Sequence, residues 1–304
     1  MGSIGIKKDR FRFFGSDLTF DVLNTFFLIL IFLIVAYPLY YIVIASFSTP
    51  ELVLNGLVTI IPRGFHLDSY VRVFNNPDVI TGYWNTIMYT TVGTLINLVV
   101  TLPAAYALSR ADLRGRAFIL FFFAFTMFFG GGLIPFFLVV QRLGMLNTFW
   151  AMVIPSAMSV WHLLICRNFF QNNIPSELLE VSKMDGCTNR RFFIQVVLPL
   201  SKAVIAVMLL FYAVGHWNSF FNALIFLRDN DRMPLQMVLR RLIVLAQPDP
   251  AFAADMREDW VRMILEAEML KYALVVVASV PVLALYPLVQ KHFVQGVMIG
   301  SIKG

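Results

Sequence analysis

The sequence predicts an all-α polytopic membrane protein with about six kinked transmembrane helices. Of its 304 residues, 59% are hydrophobic and only 14% are charged, whereas soluble globular chains carry about 25% charged residues. Six apolar runs are long enough to cross a bilayer, since a spanning helix needs about 20 residues. Each run contains or adjoins a proline, a residue that kinks helices. This composition places the chain in a bilayer.

The apolar runs set the predicted order of the spans. They cover residues 22–47, 83–108, 117–140, 147–165, 198–226 and 270–288. The first run is longer than the apolar core of a signal peptide and lacks a small-residue cleavage site, so we expect it to remain as the first helix. A cytoplasmic segment at 1–21, a transmembrane domain at 22–290 and a cytoplasmic tail at 291–304 are therefore predicted.

Lysine and arginine indicate the orientation, because cytoplasmic loops carry the excess of these residues. With the N-terminus inside, the cytoplasmic segments hold fourteen of them and the outer segments hold ten. Seven of those ten lie in or next to one long, acid-rich loop, and long loops count less in this rule. We therefore predict both termini in the cytoplasm and outer loops at 48–82 and 228–268. The net charge of +6 follows from this topology, and no basic and aromatic groove pattern indicates nucleic acid as a partner.

The polar segment 172–199 predicts two short helices joined by a tight turn. Asn173 is a candidate N-cap for the first helix. Gly186 suits the left-handed conformation that ends a helix. Either Thr188 or Asn189 is placed to cap the second helix, which runs toward the next apolar run.

The first of these helices has an apolar face. Leu178, Val181 and either Met184 or Asp185 recur at helical spacing, with Glu177 and Glu180 beside them. Such a face suits docking into the groove of a partner protein, and it equally suits a surface helix lying among lipid headgroups. Periodicity alone does not separate these two interpretations.

The 172–199 segment resembles the EAA loop of ATP-binding-cassette importer permeases. The matching residues are Glu180, Asp185, Gly186, Ile194, Leu198 and Pro199. Val181 and Ser182 stand where that pattern has two alanines. The resemblance implies that the loop docks onto a separate ATPase subunit. The residues it assigns to that contact are Glu177, Glu180, Ser182, Asp185, Gly186, Arg190 and Arg191.

Other stretches resemble the carbohydrate-importer permeases of the MalG-like class, in the branch that contains LplC and YtcP. They are 130–135, 143–148, 215–224, 234–240 and 290–304. The resemblance as a whole runs from about residue 21 to the C-terminus. It implies a type I importer permease fold in the bacterial cytoplasmic membrane. It also implies that Gly296, Gly300 and Lys303 contact the ATPase, although an ordinary cytoplasmic end is the alternative.

The partners also follow from this resemblance. A second homologous permease would complete a heterodimer, and an extracytoplasmic solute-binding protein would deliver an oligosaccharide. Two ATPase subunits would bind ATP and Mg, because this chain has no Gly-x-x-x-x-Gly-Lys-Ser/Thr phosphate loop. We therefore expect a transport subunit that is not an enzyme and has no cofactor of its own.

The fifth apolar run contains candidates for a sugar path. Trp217 and Phe221 could stack on the C–H faces of sugars, and Asn218 and Asn222 could bond to hydroxyl groups. The alternative is that the two asparagines join helices by hydrogen bonds and that Trp217 packs, since polar side chains commonly link membrane helices.

A secondary transporter or channel for small polar solutes is the alternative function. Ion-coupled carriers keep ionisable residues at membrane depth. The centres of the predicted spans have no such residues, and Glu266, Glu268 and Lys271 lie at the outer end of the last helix. This distribution disfavours the alternative function. The four histidines are scattered singly, so no metal site is predicted. No catalytic constellation favours an enzyme.

Overall fold

Helices account for all the regular secondary structure in the part of the chain that the structure describes. The structure is a computed structural model, and it describes residues 15–245, 265, 267–268, 270–284 and 287. In chain order the helices are α1 (Gly15–Ser46), α2 (Pro50–Leu54), α3 (Asp68–Asn75), α4 (Pro77–Ser109), α5 (Arg116–Phe128), α6 (Leu133–Arg142), α7 (Trp150–Val153), α8 (Val160–Asn173), α9 (Ser176–Met184), α10 (Asn189–Phe192), α11 (Leu198–Leu200), α12 (Lys202–Trp217), α13 (Phe221–Phe226), α14 (Leu235–Leu245) and α15 (Leu270–Ala284). A π-helical turn, Phe193–Val197, joins α10 to α11.

The described residues up to His66 form one compact unit, in which α1 is the main element. Apolar side chains over 18–35 are exposed on every side of this helix, which is the pattern of a helix surrounded by lipid or other membrane helices. Its end is held to the following loop. The hydroxyl groups of Tyr37 and Tyr40 donate to the carbonyls of Thr59 and Ile60, at 3.2 and 2.6 Å.

The described residues from Leu67 onward form the second unit, and α4 is its central helix. The helix begins where Asn76 accepts hydrogen bonds from the N–H groups of Asp78 and Val79, at 2.9 and 3.4 Å. Pro77 occupies the first turn, where a missing N–H costs nothing. From there α4 runs for 33 residues and packs mainly against α12 and α8.

A ladder of buried polar side chains joins α4 to α12. The Asn97 oxygen lies 2.7 Å from His216 Nε2, and Thr101 Oγ1 lies 2.8 Å from the Tyr212 hydroxyl. The Asn97 amide also donates to the carbonyl of Ser156, at 2.5 Å. Asn97 and Thr101 are one helical turn apart, so both face the same neighbour. The ladder therefore attaches the break between α7 and α8 to the central helix.

Two of the predicted spans are sharply bent. The run at 117–140 forms α5 and α6, which meet at an angle of 115° across Gly130–Gly132. Gly132 has φ +83°, a conformation that glycine adopts without steric cost. The second bend, of 82°, separates the helical stretch Asn189–Leu200 from α12. The expectation of kinked helices is confirmed at both places.

Two of the predicted spans are also interrupted. The predicted span at 147–165 is broken over 154–159, a stretch that contains Pro155, and α8 begins only at Val160. The predicted span at 198–226 is interrupted after Trp217. At that point the Asn218 amide donates to the carbonyl of Val214 at 3.0 Å, and such local side-chain bonds compete with helix continuation.

By length and composition, two helices among the described residues can cross a membrane, Leu18–Ser46 and Pro77–Ser109. The number rises to four if each bent pair forms one span, and Leu270–Ala284 is a shorter apolar helix. The predicted total of about six spans therefore stays a prediction.

Candidate functional site: the 172–199 loop

The first helix of the 172–199 loop is α9, and its beginning differs from the prediction. It starts at Ser176, directly after Pro175, which makes no side-chain cap. Asn173 does not cap it, because its amide donates to the carbonyl of Phe169, one turn earlier in α8. The prediction of Asn173 as the N-cap is therefore wrong. Glu177 lies in the first turn, where the helix dipole favours a negative charge.

The end of α9 is a complete glycine-terminated turn. Gly186 has φ +71°, and its N–H donates to the carbonyl of Lys183 at 3.0 Å. The N–H of Cys187 donates to the carbonyl of Ser182 at 2.9 Å. This pair of bonds is the Schellman motif, which satisfies the last carbonyls of a helix. The left-handed conformation predicted for Gly186 is confirmed, with Asp185 as the residue before it.

The second helix of the loop begins at Asn189. The Thr188 hydroxyl accepts a hydrogen bond from the N–H of Arg191 at 3.3 Å, so Thr188 is the cap of the two candidates. The Arg191 side chain donates to Gln195 Oε1 at 2.9 Å, and the side chain of Arg190 is exposed. The helix then continues through the π-helical turn into α11.

The apolar face predicted on α9 is open. Leu178, Val181 and Met184 are 39%, 59% and 87% exposed. Glu177 and Glu180 are exposed beside them. The Ser182 hydroxyl donates to the carbonyl of Leu178, within the helix, at 2.7 Å.

A cavity of about 630 Å³ lies between α9 and the end of α4. The α4 side contributes Tyr106 and Arg110, and the α9 side contributes Leu179, Glu180 and Lys183. Charged groups of both signs therefore meet in one cleft beside the exposed apolar face.

The predicted sugar-path residues lie around the interruption between α12 and α13. Trp217 is only 5% exposed, and its indole N–H donates to the carbonyl of Ala278 at 3.0 Å. Asn218 is exposed and accepts a hydrogen bond from Gln236 at 3.4 Å. Phe221 is 50% exposed, and Asn222 is half-buried. The structure thus brings the polar group of Asn218 and the ring of Phe221 to the surface of the bundle, whereas Trp217 is packed inside it.

The stretch after α13 is held tightly to the bundle. Asn147 has φ +57°, and its side-chain oxygen accepts hydrogen bonds from the N–H groups of Arg228 and Asp229, at 3.0 and 3.1 Å. The amide of Asn85, on α4, donates to the carbonyls of Asp231 and Met233, at 2.7 and 3.1 Å. Residues 228–233, at the start of the predicted outer loop 228–268, are therefore bonded to α4 and to the turn that contains Asn147.

Comparison with known proteins identifies the family of the chain. Residues 79–299 match the family of binding-protein-dependent transport system inner membrane components. The chain belongs to this family. It is therefore an ABC importer permease, a membrane-embedded transport subunit and not an enzyme, as predicted.

Two curated relatives from Bacillus subtilis (strain 168) align with nearly the whole permease. The polygalacturonan/rhamnogalacturonan transport system permease protein YtcP is 40% identical over 285 residues, covering 94% of this chain and 98% of the relative. Protein LplC is 41% identical over 285 residues, covering 94% and 95% of the two chains. The resemblance to the LplC and YtcP branch is thus confirmed.

A solved structure shares the fold of the permease. It is a bacterial ABC transporter involved in the import of the acidic polysaccharide alginate, matched with a TM-score of 0.83 and 33% sequence identity. The match covers 93% of the permease and 99% of the other chain. The predicted all-α importer-permease fold is therefore confirmed.

Some predicted residues of the permease lie outside the described part of the chain, namely Gly296, Gly300 and Lys303. Conversely, the structure places Arg110 and Asp112 in contact with the 172–199 loop. Arg110 is one of the fourteen lysines and arginines whose positions predict the orientation of the chain, and no contact is predicted for it from the sequence. The sequence feature that could have pointed to this contact is the position of Arg110, just after an apolar run and two residues before Asp112. Among the described residues, no group of three His, Cys, Asp or Glu side chains could hold a metal ion.

Proposed function

We propose that the permease forms half of the translocation pathway of an ATP-driven, binding-protein-dependent importer of oligosaccharides. A second homologous permease forms the other half, two ATPase subunits bind ATP and Mg, and an extracytoplasmic binding protein delivers the substrate. The family match and the two relatives of about 40% identity support this assignment. Both termini lie in the cytoplasm, as the charge distribution of the short loops predicts.

The 172–199 loop is the proposed contact with one ATPase subunit, and the observation that carries this proposal is its open apolar face. Leu178, Val181 and Met184 would enter a groove of the ATPase, in the manner of helix-in-groove recognition. The acidic and basic side chains at the rim would set the register of the contact. These rim residues are Glu177, Glu180, Asp185, Arg190 and Arg191. Closure of the ATPase pair would then rock the helices of the permease and alternate the access of a central cavity.

Acidic oligosaccharides are the proposed substrate class. The names of YtcP and of the structural relative refer to polygalacturonan or rhamnogalacturonan and to alginate, which are polymers of acidic sugars or contain them. Arg228 and Arg240 are exposed after α13 and on α14. In the proposed orientation these residues lie on the outer side, where positive charge attracts an acidic ligand.

The test is transport by the complete importer in vesicles, with the binding protein and substrate outside. We expect uptake of an oligogalacturonate only when ATP is supplied to the ATPase side, and copurification of the ATPase with the permease. An ionophore that collapses ion gradients should leave uptake unchanged. Uptake that continues without ATP but stops with the ionophore would instead establish a secondary transporter. Uptake of neutral oligosaccharides alone would overturn the acidic substrate class.

We also propose that Asn218, Phe221 and Asn222 line the path of the substrate, with Trp217 supporting them from inside the bundle. The interruption between α12 and α13 exposes polar and aromatic groups together. Sugar recognition uses this combination, because amides bond to hydroxyl groups and rings contact C–H faces.

The Asn222→Leu substitution should therefore impair transport without impairing assembly. Loss of one hydrogen-bonding side chain costs about 0.5–1.5 kcal/mol, so we expect roughly 3- to 10-fold lower uptake at subsaturating substrate. Asn24→Leu is the matched control, because it makes the same change on the exposed surface of α1. Equal uptake by the two variants, at equal amounts of assembled complex, would remove Asn222 from the path.

A further inference from the structure

Arg110 stands at the junction between α4 and the 172–199 loop. It directly follows the last residue of α4, and its backbone N–H donates to the carbonyl of Ala107 at 3.3 Å. Its guanidinium group binds both carboxylate oxygens of Asp112, with Nε donating at 2.8 Å and Nη2 completing the pair. This bidentate geometry is among the strongest hydrogen-bonded pairings available to side chains.

The same guanidinium group reaches the second helix of the loop. Nη1 donates to Asn189 Oδ1, at the start of α10, at 3.1 Å. On the other side of the pair, Lys183 Nζ in α9 lies 3.8 Å from the second oxygen of Asp112. Both helices of the loop are thus connected to the end of α4 through one charged pair. We call the group formed by Arg110, Asp112, Lys183 and Asn189 the junction cluster.

The surroundings hold the arginine in place. Its side chain is only 13% exposed, and Nη1 also donates to the Tyr106 hydroxyl at 3.2 Å. The Tyr106 ring is itself buried among the rings of Phe170, Phe192 and Phe193, with centroid distances of 6.1, 6.5 and 5.2 Å. A side chain ordered in this way has already lost its rotamer freedom, so its contacts transmit displacement instead of absorbing it.

The charge of the exposed Asp112 carboxylate also supports a persistent contact with Arg110. The hydrogen bonds from Arg110, followed by the charges of Arg110 and Lys183, lower the pKa of Asp112 below its usual range. Asp112 therefore stays ionised at neutral pH.

The cavity of about 630 Å³ between α9 and the end of α4 leaves room beside the junction cluster for α9 to move.

We propose that Arg110 is a positioning residue for transport: through the junction cluster it transmits displacement of the 172–199 loop to α4. From α4 the displacement continues to α12 through the polar ladder, since Asn97 and Thr101 lie on the same helix as the residues before Arg110. This inference rests on the proposed coupling function of the loop. It adds the specific groups that join the loop to the transmembrane bundle.

The decisive substitution is Arg110→Lys. Lysine keeps the positive charge, but a single ammonium group cannot reproduce the planar fork that bonds to Asp112 and Asn189 together. Arg114→Lys is the matched control, because Arg114 is an exposed arginine in the same short segment between α4 and α5, four residues away. Asn189→Ala removes only the bond to α10 and leaves the ion pair with Asp112 intact.

The measurement is the ratio of substrate transported to ATP hydrolysed by the complete importer in vesicles. For Arg110→Lys we expect this ratio to fall about 10-fold, the effect of losing one charge-assisted hydrogen bond. The amount of copurified ATPase and the basal ATP hydrolysis should stay as in the unmodified importer. Asn189→Ala should lower the ratio to a smaller extent, and adding it to Arg110→Lys should have little further effect, because both changes break the same contact. Arg114→Lys should leave the ratio unchanged.

An unchanged ratio in Arg110→Lys would overturn the proposal. If Arg110→Lys failed to assemble, Asn189→Ala would decide alone, and an unchanged ratio in that variant would equally overturn it. If the ratio fell equally in Arg114→Lys, the proposal would also be overturned, because the fall would then be a general effect of changing the segment between α4 and α5. These outcomes differ from failure of the proposed function, in which the unmodified importer itself would transport substrate without ATP.

Discussion

Gly186→Val is expected to abolish most of the coupled transport while leaving the transmembrane bundle folded. Gly186 has φ +71°, where a β-branched residue is sterically disfavoured and non-glycine residues cost about 1–2 kcal/mol. Apart from its chain neighbours, no atom lies within 4 Å of the position that its Cβ would take, so the penalty comes from the backbone conformation. Relief of that strain changes the turn that sets the direction of α9. We expect roughly 10-fold lower uptake and lower stimulation of ATP hydrolysis by the loaded binding protein.

Gly186→Asn is the matched control for this prediction. Asparagine tolerates the left-handed conformation better than other non-glycine residues. The open space around Gly186 accommodates either side chain. The asparagine variant should therefore keep most of its transport activity. Equal activity of the valine and asparagine variants, whether both high or both low, would contradict the role assigned to the turn conformation.

Gly93→Val is expected to destabilise the helix bundle itself. A Cβ at position 93 would lie 2.5 Å from atoms of the His216 ring, well inside van der Waals contact. The ring cannot turn away freely, because its Nε2 is bonded to Asn97 at 2.7 Å. Overpacking of this kind costs about 1–3 kcal/mol, and breaking the bond would leave the fully buried Asn97 without one of its partners. The thermal unfolding midpoint of the purified importer should fall measurably.

Alanine variants isolate the steric contact. Gly93→Ala should lower the unfolding midpoint, whereas the same change in a His216→Ala background should have little effect, since the ring is gone. Gly215→Ala measures the effect of replacing a helical glycine on α12 where nothing lies within 4 Å; there alanine should be neutral or stabilising. If Gly93→Ala were equally destabilising with and without the His216 ring, close packing between α4 and α12 would not be the cause.

Only some local features of the loop were predicted correctly from the sequence alone. The turn at Gly186 depends on residues within a few positions of each other, so it can be recognised without a structure. The structure selected Thr188 over Asn189 as the second cap and showed that Asn173 does not cap the first helix. The apolar face of α9 is equally a matter of spacing along one short helix. The resemblance to the EAA pattern favours docking over membrane contact, a choice that the periodicity could not make.

Helix interruptions were decided partly by the tertiary structure. The break over 154–159 lies within a continuous apolar run, and hydropathy cannot detect it. The carbonyl of Ser156 is instead satisfied by Asn97, which is 59 positions away. The interruption after Trp217 is likewise accompanied by a distant bond, from its indole to Ala278. A run of apolar residues predicts burial in the bilayer, but the packing of other helices decides where the backbone leaves the helix.

The sequence by itself thus determined the membrane class, the importer family and the two short helices of the 172–199 loop, because composition and short motifs carry that information. Only the tertiary structure connected the loop to the bundle. Arg110 and Asn189 are 79 positions apart, and their contact depends on how α8 and α10 pack around Tyr106. A charged residue at the end of an apolar run could bond to many polar side chains along the sequence. The folded structure decides which of them lies within hydrogen-bonding distance. The same physical reason explains why Gly93 acquires its importance only beside His216.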